Sequence, residues 1–183
     1  MEIDNRYYFE LEVFMGINIR PARKEDALQL IEHTKIVLNE STFMLTTPEE
    51  FNTSVEDEEK WIENHIKPGN LIIVAEKDGK IVGNLNFKTS KRKRLSHLGY
   101  FGVSIQETYC NQGIGSKLVS YLLDWAQEEP GLEKVCLEVF SHNERAIHLY
   151  KKFGFQEEGR KVKFVKFSDT HYEDEIIMYK FVK

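Results

Sequence analysis

The sequence predicts one mixed α/β domain over residues 17–183, with a mostly antiparallel sheet of roughly seven strands flanked by roughly four helices. Three observations predict it. Two helical segments and a run of strands around an Asp-Gly turn fill the first half, and the second half alternates helical stripes with strand-like runs. No internal repeat, low-complexity tract or linker divides the chain, and 183 residues with 41% hydrophobic content suffice for one sizeable core.

Residues 17–22 alternate as a short strand, and Ala27, Leu30, Ile31, Thr34 and Leu38 then recur at helical spacing. Thr47-Pro48-Glu49-Glu50 and Ser54-Val55-Glu56-Asp57 each place an N-cap residue three positions before an acid. A second helix is therefore expected to run to about Ile66, where Pro68-Gly69 stops it. Residues 71–76 and 81–88 flank Lys77-Asp78-Gly79-Lys80, an Asp-Gly turn that reads as a hairpin, and a strand over 98–105 closes a meander. Ile114, Leu118, Leu122 and Trp125 make an apolar stripe ending before Pro130-Gly131, and residues 132–140 form the next strand. Ser141 with Glu144 reads as a capping box for a helix whose Ala146, Leu149, Tyr150 and Phe153 share a face, with Gly154 placed to end it. Strands over 155–167 and 173–182 complete the sheet.

The segment 1–16 is an extension open to two readings. Tyr7, Tyr8, Phe9, Leu11, Val13 and Phe14 are apolar enough to pack on the domain or across a homodimer, or else Met15 is the true start.

A net charge of −5 with 30% charged residues gives no general attraction to nucleic acid. No apolar run approaches the length of a membrane span, and Glu2, Asp4, Arg6, Glu10 and Glu12 leave no signal-peptide core, so a cytoplasmic location is expected. Cys110 and Cys136 form no Cys-x-x-Cys pair and read as free thiols. His97, His142, His148 and His171 lack metal-ligand spacing, so no metal is expected, and no Gly-x-Ser-x-Gly elbow suggests a hydrolase.

The most informative stretch is Tyr109-Cys110-Asn111-Gln112-Gly113-Ile114-Gly115-Ser116, a polar turn between a strand and an amphipathic helix. Glycines let the backbone bend sharply and approach a ligand closely, and the following helix start offers unpaired N–H groups to a pyrophosphate. The spacing is not that of a P-loop, because Lys117 follows Gly115 by two residues, with Ser116 between. It is not the dinucleotide fingerprint either, because Leu118 stands where a third glycine or alanine belongs. Taken alone, the turn is equally consistent with an ordinary strand-to-helix connection.

The series Gln112-Gly113-Ile114-Gly115-Ser116-Lys117-Leu118, the strand Val135-Cys136-Leu137-Glu138-Val139 and the run from Asn143 through Tyr150 to Gly154-Phe155 resembles the Gcn5-related N-acetyltransferase superfamily. The resemblance spans Ile17 to the C-terminus, and the order of elements is that family's. It implies attack of a primary amine on the thioester of acetyl-CoA. One position departs from the pattern: Cys110 stands where the family usually carries Arg or Gln. Backbone binding of phosphate could survive that change, while a side-chain contact could not.

The resemblance assigns roles residue by residue. Tyr150 is the candidate acid that protonates the leaving thiolate, although periodicity alone makes it a core aromatic. Glu138 is the candidate base, matching the glutamate of the ribosomal-protein alanine acetyltransferases. With Cys136 and Phe140 on its face of the strand, its carboxylate could have a raised pKa or act through water. Cofactor contacts fall to Gln112, Gly113, Ile114, Gly115, Ser116, Asn143 and Tyr150, with main-chain donors near Val103 and Ile105 facing the oxyanion. Asn143 also has the local role of a helix-start residue.

The acceptor stays open between a small molecule, such as a polyamine, amino acid analogue or antibiotic, and a protein N-terminus. Glu49, Glu50, Glu56, Asp57, Glu58 and Glu59 could attract a cation, or could simply complement helix dipoles in solvent. Lys91-Arg92-Lys93-Arg94 reads as a solvated hairpin tip. A non-catalytic CoA sensor is the alternative function, and a basic-tip nucleic-acid binder is disfavoured by the net acidity.

Overall fold

The computed structural model describes residues 16–183, and the extension apart from Gly16 lies outside the described residues. Strands β1 (Ile17–Pro21), β2 (Asn70–Lys77), β3 (Lys80–Thr89), β4 (Leu98–Ile105), β5 (Lys134–Phe140), β6 (Gln156–Lys166) and β7 (Tyr172–Phe181) form one sheet. Its order is β1-β2-β3-β4-β5-β7-β6. Helices α1 (Ala27–Glu40), α2 (Val55–His65), α3 (Ile114–Glu128) and α4 (Glu144–Lys152) flank it.

The second strand shows why the helices divide between two faces. Its apolar run leaves no polar face: Leu71, Ile73 and Ala75 join Leu118 and Leu122 of α3 in the larger core, while Ile72 and Val74 join Leu30 of α1 and Ile62 of α2 in the smaller one. The β2–β3 hairpin turns at Asp78 and Gly79, both at positive φ (51° and 75°), the conformation an Asp-Gly pair favours. Among the described residues no helix is long and apolar enough to cross a membrane.

Two expected helix starts differ. Thr47 N–H does bond Glu50 Oε2 at 2.9 Å, but the segment closes only a single turn. Asn52, Thr53 and Ser54 then favour turn and cap conformations over helix interior, and α2 begins at Val55 with the Ser54 hydroxyl accepting from Asp57 N–H at 3.1 Å. The helix α4 is capped by Asn143, not Ser141. Asn143 N–H bonds Phe140 O at 2.9 Å in a tight turn after β5, so the helix starts later and Asn143 Oδ1 accepts from Ala146 N–H at 3.2 Å. Ser141 instead hydrogen-bonds Glu173 Oε2.

All strand pairings are antiparallel except β4 with β5, which pair in parallel over Leu98↔Lys134, Gly99↔Val135 and Tyr100↔Cys136. Beyond Tyr100 the two strands no longer pair, although β4 continues to Ile105 and β5 to Phe140. The gap between their C-terminal halves positions the site.

Candidate active site

Two cavities meet at that gap. The first, of about 320 Å³, is bounded by the glycine turn, the end of β4 and α4. The second, of about 730 Å³, is bounded by α1, α2, the connector between them and the middle of β3, β4 and β5. Val103, Ser104, Asn143 and Tyr150 line both.

At the first cavity the helix start is left open. Gly113 sits at φ 80° as the N-cap of α3, and no side chain caps the helix. The first intrahelical bond runs from Lys117 N–H to Gly113 O, so the N–H groups of Ile114, Gly115 and Ser116 have no partner within the helix. Gly115 is needed for space: a Cβ there would lie 2.9 Å from Leu149 Cδ2. A bare, positively polarised helix start beside a cleft fits a pyrophosphate. Along β4, Gln106 N–H bonds Val82 O at 3.0 Å, so by alternation the N–H groups of Val103 and Ile105 point the other way, into the gap.

The predicted cofactor residues Val103, Ile105, Gly113, Ile114, Gly115, Ser116, Asn143 and Tyr150 all line this cavity. Gln112 does not; its amide folds onto Thr108 O at 2.9 Å. Cys110 turns its sulfur toward the carbonyls of Ile105 and Gln106, 3.9 and 3.6 Å away, and burial pushes the thiol above its ordinary range. A cation that sequence reasoning missed stands at the same cavity: Arg145, forked onto Glu107 by two 2.8 Å bonds.

Tyr150 is 5% exposed, and burial raises its phenol well above the usual range, so it is protonated at neutral pH. Glu138 lines only the second cavity. Its expected apolar setting is corrected by Lys161 of β6, whose Nζ lies 2.7 Å from Glu138 Oε1 and 2.7 Å from Glu175 Oε2. The lysine reaches the carboxylate across β7, so the strand's own sequence gave no sign of it.

Of the acids around the first two helices, Asp57 and Glu58 line the second cavity. Glu59 pairs with Lys24 and Glu56 with Lys60. Burial raises the Glu58 carboxyl, one of four carboxylates lining the second cavity. Lys91 to Arg94 are exposed and line neither cavity.

Residues 38–155 match the model of the Acetyltransferase (GNAT) family. The chain belongs to this family. It is 32% identical over 110 residues to the L-amino acid N-acetyltransferase AaaT of Escherichia coli, covering 58% of this chain and 68% of that one. It is 35% identical over 84 residues to the E. coli [Ribosomal protein bS18]-alanine N-acetyltransferase, covering 46% and 55% respectively. A GNAT-family acetyltransferase from Streptococcus pneumoniae superposes with a TM-score of 0.86 at 28% identity, over 91% of this chain and 99% of that one. YncA, a putative acetyltransferase of Salmonella typhimurium whose structure contains acetyl-CoA, shares the fold with a TM-score of 0.81 at 20% identity, over 92% and 95%.

Proposed function

We propose that this GNAT-family enzyme transfers the acetyl group of acetyl-CoA directly to a primary amine bound in the second cavity. The observation that carries this reading is the meeting of the two cavities at Val103, Ser104, Asn143 and Tyr150. A thioester approaching from one side and an amine from the other come together there without either having to move.

Acetyl-CoA supplies the activated acyl group. The N–H groups of Ile114, Gly115 and Ser116 hold its pyrophosphate, and Arg145, paired with Glu107, borders the same cavity. Asn143 keeps its amide nitrogen for the pantetheine arm while its oxygen caps α4. Val103 N–H donates to the developing oxyanion, a contact of the kind worth about 3 kcal/mol in acyl transfer. Glu138 takes the proton of the attacking ammonium, directly or through water, and the buried Tyr150 phenol donates its proton to the departing sulfur.

The test is thiol release from acetyl-CoA across polyamines, amino acids, aminoglycosides and short peptides with free N-termini, with calorimetric CoA binding in parallel. Turnover with one amine class is expected. Tight CoA binding with no turnover would favour the sensor, and no CoA binding would defeat the reading.

A further inference from the structure

Beneath the second cavity runs a hydrogen-bonded series whose direction can be deduced. The amide nitrogen of Gln106 lies 3.2 Å from Ile81 O, which can only accept, so this group is the NH₂ and the amide orientation is set. The same nitrogen lies 3.3 Å from His33 Nδ1, which therefore accepts. His33 is 1% exposed, and burial lowers its pKa to about 4, so the imidazole is neutral and carries its proton on Nε2. Nε2 then donates to Ser104 Oγ at 2.8 Å, and the hydroxyl passes its own hydrogen to Asn84 Oδ1 at 2.6 Å.

Every link is used in one sense, so Asn84 Oδ1 accepts from Ser104 and the amide turns its nitrogen elsewhere. Its Nδ2 has no hydrogen-bond partner among the described residues, and Asn84 lines the cavity. Asn86, two positions along the same strand face, lines it as well. At Asn84 the floor offers an unpaired amide NH₂, beside an oxygen already engaged by Ser104.

The walls have the opposite character. Asp57, Glu58, Glu138 and Glu175 line the cavity, and no Lys, Arg or His does so among the described residues; Lys161, behind the lining, pairs with Glu138 and Glu175, so the acidity rests on Asp57 and Glu58. Carboxylates suit the ammonium of the acceptor, while a donor at Asn84 suits an uncharged oxygen near it. A polyamine has no such oxygen, and a free amino acid would bring a carboxylate into an acidic cavity.

The geometry points to an acceptor in which the amine is followed by a neutral amide carbonyl, an amino acid amide or peptide N-terminus, with Asn84 reading the carbonyl and His33 positioning Asn84 through Ser104. This rests on the acetyl-transfer reading and narrows its acceptor.

Leucinamide, leucine and 3-methylbutylamine share a side chain and differ only at this group. Measured as kcat/KM, leucinamide is expected to exceed both others by about tenfold or more, the discrimination a site gains from one polar contact. Asn84→Ala and the near-isosteric Asn84→Asp should bring the leucinamide to 3-methylbutylamine ratio within about twofold of unity. His33→Leu, outside the cavity, should lower the same ratio, which a general loss of stability would not do. A wild-type ratio near one, or a ratio that survives Asn84→Ala, overturns the proposal. The same ratios are read calorimetrically from binding of the three amines to the protein with CoA. If no amine is acetylated, the acetyl-transfer reading fails, and the binding ratio still decides for or against the role of Asn84.

Discussion

Phe101 of β4 and Tyr150 of α4 meet edge to face, with ring centroids 5.6 Å apart, and Phe155 packs on both. The aromatic contacts hold the phenol at the junction of the two cavities independently of its hydroxyl. Tyr150→Phe should therefore keep the fold and CoA affinity while lowering kcat by about a hundredfold. Single-turnover thiol release and calorimetry check the two halves of that statement.

Gly115 tests the cofactor cradle. Gly115→Val would put a Cβ 2.9 Å from Leu149 Cδ2 and branch it further, pushing α4 away from the turn. CoA affinity should fall by about tenfold or more, read as a loss of the thermal shift that CoA gives the wild-type protein.

Glu138 and Glu58, two of the four carboxylates at the second cavity, should separate kinetically. Glu138→Gln is expected to lower kcat by about a hundredfold, as for loss of a general base. Glu58→Gln should act mainly on KM for the amine. Burial raises the Glu58 carboxyl, so on acidification it gains a proton and loses its attraction for the ammonium earlier than an ordinary glutamate. The amine's KM should rise as pH falls in the wild type and less steeply in Glu58→Gln. A larger kcat loss in Glu58→Gln than in Glu138→Gln would transfer the base role to Glu58.

The His33 imidazole makes stability depend on pH. Its pKa falls from 6.5 to about 4 on folding, so between those values the unfolded chain binds a proton that the folded one does not. Stability from this group is complete above about pH 6.5 and is lost as pH falls toward 4, by about 3 kcal/mol in all. Urea unfolding at pH 7 and pH 4.5 should show a smaller difference in His33→Gln than in the wild type.

Much of the fold was legible because its signals are local. Asp78-Gly79 specifies the hairpin turn, Leu118 and Leu122 mark the buried stripe of α3, and the glycine pair marks the sharp turn at that helix's uncapped start. The errors at Thr47 and Ser141 arose where two capping residues lay close together and the neighbouring turn chose between them. The acceptor side was largely hidden because its contacts join distant positions. His33 and Ser104 are 71 residues apart, and Lys161 meets Glu138 from 23 residues away.

The short β4–β5 ladder also divides the molecule by history as well as by space. Residues 17–105 form four strands that pair only with sequence neighbours, and residues 134–181 hold the other three, so each block of sheet assembles from its own chain. Within the sheet only three residue pairs join the blocks, while the larger core and the packing of Phe101 on Tyr150 and Phe155 bridge them on one face. A ladder this short between distant segments is expected to close after the local hairpins and to open before them. Amide exchange should be fastest at the inner edges of the gap, and the protein should let go of CoA before either block unravels.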